Sequence, residues 1–182
     1  MNMYLRLILL RLRARTRARL SVWDTSRTPL RVSLTDLDLL RHVNNGTYLT
    51  MMDIGRMDLL VRSGFWARVQ QLGWYPVVAG QTITYRRSLK LGQRFDLYTR
   101  ILGYHERWVY VEQTFCRGET VYAHAIVRTR FLRSAGGTVD TEEIRAIAGE
   151  APDDREVPAW VREWTAGSRV HDVPFRPARR DA

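Results

Sequence analysis

Asp36-Leu37-Asp38-Leu39-Leu40-Arg41-His42-Val43-Asn44-Asn45-Gly46-Thr47-Tyr48 is a polar run that opens directly onto an apolar one. Tyr48, Leu49, Met51, Met52, Ile54, Met57, Leu59, Leu60 and Val61 follow one another at spacings that predict a helix of about 16 residues, apolar around most of its circumference. Such a helix has to be buried on several sides. Ser63 and Gly64 end it, and residues 65–72 read as a further short helix stopped by Gly73. Asp36, Asp38, His42, Asn44, Asn45 and Tyr48 therefore stand together where the buried helix begins. The first turn of a helix has unpaired N–H groups and a partial positive charge, which suits an anion or a developing oxyanion. A carboxylate just before that turn can attack, or activate water to attack, a carbonyl whose oxygen points at those N–H groups.

Working outward, Leu30, Val32 and Leu34 alternate with Arg31, Ser33 and Thr35, as in a half-buried first strand. Beyond Trp74 the pattern turns to strands over residues 77–85, 94–104, 108–117 and 120–133, rich in Val, Ile, Tyr, Thr and Phe. In the last of these Val121, Ala123, Ala125 and Val127 share one face, and Gly118 marks a tight hairpin before it. A strand, a long buried helix and a run of antiparallel strands make an α+β fold. Gly136 and Gly137 end the sheet, Asp140 with Glu143 predicts a capped helix through Ile147, and the Pro-rich remainder is expected to dock by Trp160 and Trp164. The expected organisation is a basic N-terminal arm (1–22), a central domain (23–139) and a C-terminal helix with tail (140–182).

The string Asp36 to Tyr48, with its Asp-x-Asp, His-Val-Asn-Asn and following Tyr, resembles the hotdog-fold thioesterases of the 4-hydroxybenzoyl-CoA type. The resemblance covers residues 28–133 and implies about five antiparallel strands wrapped around a long central helix. It implies that Asp38 is the catalytic carboxylate of an acyl-CoA or acyl carrier protein thioesterase and that His42 contacts the thioester or positions water. Backbone N–H groups near Asn45 and Gly46 would receive the oxyanion, and Asn44, Asn45 and Tyr48 would shape the site. No cofactor is implied, coenzyme A entering as part of the substrate. A homodimer or higher homo-oligomer, with ligand held between subunits, is implied as well. Plant acyl carrier protein thioesterases, which share the Asp-His spacing, have Asn where this chain has Leu40; an acyl-CoA-binding protein with little turnover is the alternative reading.

Each residue also has a plainer reading. Asn44 or Asn45 suits the helix N-cap, Asp36 a structural carboxylate in a turn, and Asp53 with Arg56 a helix ion pair. Met51 and Met52 fit either an acyl slot or plain core. Arg86, Arg87 and Lys90 could meet the phosphates of coenzyme A or an acidic carrier, or be a solvated strand end.

The 182 residues are 45% hydrophobic and 26% charged, enough for one core of moderate size. Of the net charge of +10, six arginines within residues 1–20 supply +6, so the basicity is mostly a property of the arm. Arginines alternate with other residues over 11–19, which scatters charge around a helix; the arm reads as a solvated terminus, with weak membrane-surface contact as its functional alternative and no nucleic-acid motif beside it. One cysteine, Cys116, excludes an intramolecular disulfide, and the histidines show no metal-ligand spacing. No apolar run approaches the roughly 20 residues of a membrane span, no signal peptide is evident, and a cytoplasmic location is expected. The chain has no Gly-rich phosphate loop, serine nucleophile elbow or dinucleotide fingerprint.

Overall fold

The computed structural model describes residues 16–168 together with Arg6, Ile8 and Leu10. Most of the arm's alternating arginines (11–15) and the tail beyond 168 lie outside the described residues. The elements are β1 (Ser26–Arg31), a 3-10 turn (Leu34–Asp36), α1 (Asn45–Arg62), α2 (Phe65–Gln71), β2 (Trp74–Tyr85), β3 (Arg94–His105), β4 (Trp108–Arg117), β5 (Thr120–Arg133), α3 (Thr141–Ala148) and α4 (Ala159–Gly167). The five strands form one antiparallel sheet in the order β1-β3-β4-β5-β2, and α1 lies in its curl. This is the hotdog arrangement, α+β as expected.

The seating of α1 is set at Gly55. A Cβ there would stand 2.7 Å from both Leu97 Cδ2 and Thr99 Oγ1 and 2.9 Å from Gln113 Nε2, so the helix backbone approaches β3 and β4 more closely than any side chain permits. Gln113, fully buried, donates to the Met52 carbonyl at 2.9 Å and to Thr99 Oγ1 at 3.0 Å, and accepts from Arg56. Around this tie pack Met51, Met52, Leu97, Phe115, Ala123, Ala125 and Val127. Met51 and Met52 are thus core, one of the two readings the sequence left open.

β1 begins earlier than the leucine alternation predicts. Its inward-facing residues are Ser26, Thr28 and the half-buried Leu30, and Leu34 falls in the 3-10 turn. The reason is a buried carboxylate: Asp58 of α1 accepts from Ser26 Oγ at 2.5 Å, Thr28 Oγ1 at 3.1 Å, Arg17 Nη1 at 2.7 Å and Arg62 Nη1 at 3.2 Å. Polar residues therefore occupy the inward face, and hydrophobic alternation cannot reveal it. Arg6 likewise is buried against Asp36 at 2.5 Å. At both points the basic arm is clamped to the domain by ion pairs, contrary to a wholly solvated terminus.

On the outer face, α4 covers a second cluster of Leu102, Trp108, Tyr110, Ile126, Val157 and Val161. The expected two-tryptophan anchor holds for Trp164, which packs against this cluster, and is corrected for Trp160. Trp160 is about half exposed, while fully buried Val161 and a Thr165–Tyr110 hydroxyl bond of 2.8 Å seat the helix. Trp164 also meets the Arg128 guanidinium, which lies over the Trp108 ring as well.

Farther along the outer face, Glu112 accepts from Arg100 Nε at 2.5 Å and pairs with His124 Nε2 at 3.0 Å. His124 and then Arg100, against the opposing effect of burial, bring its carboxyl down from 4.5 to about 2. A carboxylate with a depressed native pKa stabilises the fold above its unfolded value and loses that contribution as the pH falls through the folded one. The wild-type chain should therefore lose on the order of 1 to 2 kcal/mol, after solvent screening, between about pH 4.5 and 2 through this group. Urea titrations of Glu112→Gln across that window should show a flatter acid limb, and parallel curves would exclude the pairing as its cause.

Candidate functional site

The turn that carries Asp38 is built by its own side chain. The Asp38 N–H donates to the His42 carbonyl at 2.8 Å, and Asp38 Oδ1 accepts from the N–H groups of Leu40 at 2.9 Å and His42 at 3.2 Å. Arg41 takes the left-handed conformation, φ 59°, that closes so short a turn. Leu37 bridges to Val43 and His42 to Lys90, which pins the turn to the segment before β3. One carboxylate oxygen is thereby fixed, while Oδ2 accepts nothing among the described residues. The His42 ring, half-buried, also has no partner among them.

Asn44 follows as the N-cap of α1, its Oδ1 accepting from Gly46 N–H at 2.8 Å. Its own N–H donates to the Asp36 carbonyl at 2.9 Å. Of the two donors expected for an oxyanion, the Gly46 N–H is taken by this cap, and the Asn45 N–H has no acceptor among the described residues. No acidic residue lies in the first turn of α1, so the positive end of an 18-residue helix faces the Asp38 turn unneutralised from within.

Tyr48 is only 2% exposed and is a strut beneath the site. Its ring meets Tyr85 and Phe115 edge-on, each at 5.0 Å, and its hydroxyl accepts from Leu89 N–H at 3.4 Å. Burial raises its pKa, the Leu89 bond opposing. Asp36 is a structural carboxylate: besides Arg6 it accepts from the N–H of Ser33 at 2.7 Å and its hydroxyl at 2.8 Å. Asp38, His42, Asn44, Asn45 and Gly46 are therefore brought to one end of α1, with Tyr48 fixing that end to the sheet.

An apolar cavity of about 360 Å³ lies along the other half of α1, between Met57, Leu60, Trp66, Val77, Ile101 and Phe131, with Ile144 of α3 among its walls. Met57 lines it, where Met51 and Met52 were the candidates. Asp53 and Arg56 stand at its edge as the expected ion pair, burial lowering the Arg56 pKa and Asp53 opposing. Nothing in the sequence distinguished this face of α1, because its apolar residues look like core. At 1.5 Å per residue, Asn45 and Arg56 are separated by about 16 Å of helix, so one chain alone sets its carboxylate and its apolar cavity at opposite ends. A second, basic hollow on the outer face is lined by Arg6, Arg27, Arg31, Arg94 and Arg117. Among the described residues no group of three or more His, Cys, Asp or Glu is placed to hold a metal ion.

Residues 32–165 match the family model of the Thioesterase-like superfamily. Protein THEM6 of Xenopus laevis is 33% identical over 129 residues, 71% of this chain and 61% of that protein. Its Danio rerio counterpart is 32% identical over 143 residues, 77% of this chain and 70% of the relative. The chain thus spans about three fifths of the length of the first and somewhat more of the second. Among solved structures, the YbaW probable thioesterase of Escherichia coli superposes with a TM-score of 0.63 at 21% identity, over 69% of this chain and 98% of that one. That likeness concerns the fold.

The cap is open to a direct test. Asn44→Ala leaves Gly46 N–H without its acceptor and should cost about 1 kcal/mol in denaturant unfolding; an unchanged midpoint would mean that water replaces the cap without loss.

Proposed function

The chain belongs to the thioesterase-like superfamily, and from that premise we propose that it hydrolyses an acyl thioester, of coenzyme A or of an acyl carrier protein, with Asp38 as its catalytic carboxylate. The observation that carries this reading is the divided use of that side chain. One oxygen is spent holding the turn, and the other has no partner among the described residues and stands at the positive end of a buried helix.

In this scheme the free oxygen takes a proton from water as the water attacks the thioester carbonyl. The oxygen of that carbonyl gathers negative charge and is met by the Asn45 N–H and the helix terminus. Collapse of the tetrahedral intermediate expels the thiolate, which takes up a proton to leave as thiol. Direct attack by Asp38 on the carbonyl, followed by hydrolysis of the mixed anhydride, uses the same placement. His42, closing the same turn, orients the water or thioester, and Asn44, Gly46 and Tyr48 hold the geometry. No cofactor enters, coenzyme A being part of the substrate.

The acyl group needs an apolar slot, and the cavity beside Met57 and Trp66 suits one in volume and lining. Its distance from Asp38 supports a two-fold assembly. The β1 edge is short and guarded by Arg27, Pro29 and Arg31, whereas β2 is a 12-residue edge with Tyr75, Val78 and Tyr85 exposed. Antiparallel pairing of β2 with its copy would set the two α1 helices in opposite directions and bring each Asp38 turn toward the partner's cavity. Leu40 favours a second reading, acyl-thioester binding with little turnover, because its exposed aliphatic side chain has nothing to offer a reacting group.

Asp38→Asn retains an oxygen for the Leu40 and His42 N–H groups, so the fold should persist while thiol release from a panel of acyl-CoA thioesters falls by about 100-fold or more. Turnover at the parental rate would remove Asp38 from the mechanism, and a parent that binds the panel without releasing thiol would establish the binding reading. Val78→Lys, which puts a charge on the β2 edge, should convert the assembly to monomers by light scattering. Persistence of the parental mass would place the interface elsewhere.

A further inference from the structure

Four leucines stand in solvent at the end of the molecule that carries Asp38: Leu34 (73% exposed), Leu39 (102%), Leu40 (76%) and Leu91 (54%). They belong to three turns joined side by side. Gly92 N–H donates to the Val32 carbonyl at 3.0 Å, Val43 N–H donates to the Leu89 carbonyl at 3.1 Å, and His42 bridges to Lys90. A single exposed leucine is ordinary, but four on adjoining turns form a patch of the kind that marks an interaction surface. The turn bearing Leu39 and Leu40 is also rigid, because Asp38 and the left-handed Arg41 fix its backbone. Its apolar tip is held outward before any partner arrives.

The rim of this patch is cationic. Arg31, Arg41, Lys90 and Arg94 are exposed on or next to the three turns, and exposed Arg86 and Arg87 lead toward them. Arg31 and Arg94 also border the basic hollow of the outer face. Of the carboxylates at this end, Asp36 is buried against Arg6, Asp38 gives one oxygen to its own turn, and Asp96 of the hollow pairs with Arg27. Charge selects the occupant. A second copy seated symmetrically on this surface would bring Arg31, Arg41 and Lys90 against their own counterparts, a like-charge contact that is strongly disfavoured. An anionic lipid surface meets both features at once: the leucines enter the acyl boundary while the guanidinium and ammonium groups reach the phosphates.

We propose that this leucine-tipped, arginine-rimmed end docks on the surface of an anionic phospholipid bilayer. The docking does not depend on the chemistry at Asp38. Where both hold, the mouth of the site lies against the layer in which long acyl chains dissolve.

Cosedimentation of the full chain with phosphatidylcholine vesicles, and with vesicles one third phosphatidylserine, tests this. The parent should bind the anionic vesicles at least tenfold more tightly than the neutral ones and release them at high salt. Leu39→Ser combined with Leu91→Ser should weaken anionic-vesicle binding by about tenfold, at unchanged melting temperature. Lys90→Glu should weaken it by about fivefold or more. A parent that ignores anionic vesicles overturns the proposal. So does a leucine variant that binds as the parent does, since the arginines of residues 11–19 would then carry the attraction. A leucine variant whose mass by light scattering drops while vesicle binding is unchanged would assign the patch to contact between copies, which also overturns it.

Discussion

The contact at Gly55 governs the geometry of this protein. Where a helix normally rides on side chains, α1 comes down onto β3 and β4 until Leu97, Thr99 and Gln113 occupy the volume that a Cβ would fill. That approach cannot slide, because Gln113 is bonded at once to the Met52 carbonyl, to Thr99 and to Arg56. A buried amide satisfied on each side fixes register as well as distance. The axial position of α1 is thereby set, and with it the places of its two ends.

At one end the helix delivers a positive terminus to a turn whose shape Asp38 itself dictates. A carboxylate that builds its own turn is positioned by its own hydrogen bonds, so little of its orientation is left to packing. At the other end the same helix leaves an apolar cavity under α3. The separation of the two is a consequence of helix length, and the β2 pairing proposed above would bring them together. The two sheet edges differ in chemistry: arginines and a proline guard β1, while β2 carries exposed tyrosines and a valine.

Much of this was legible in the sequence. Four strands and the helices α1, α2 and α3 were marked by composition, periodicity and glycine stops, and the string from Asp36 to Tyr48 marked the end of α1 where the chemistry is proposed. The misreadings share a cause. β1 is polar on its inner face because Asp58 requires hydroxyl partners there, so hydrophobic alternation pointed downstream of it. Trp160 looked like an anchor because aromatic residues at helical spacing favour burial, yet α4 turns Val161 and Thr165 inward to meet Tyr110. Arg6 and Arg17 look like surface charges until the folded chain brings Asp36 and Asp58 to them.

What the sequence by itself determined was local: which segments coil or extend, where α1 starts, and which titratable residues stand at its entrance, since each of these depends on neighbours a few positions apart. Tertiary structure alone decided that Met57, and not Met51 or Met52, lines the cavity, and that four leucines remain in water. Those outcomes depend on pairings such as Arg17 with Asp58 and Lys90 with His42, between residues more than 40 positions apart. No local pattern encodes such pairings, because burial and hydrogen-bond competition are settled only when the whole chain has closed around α1.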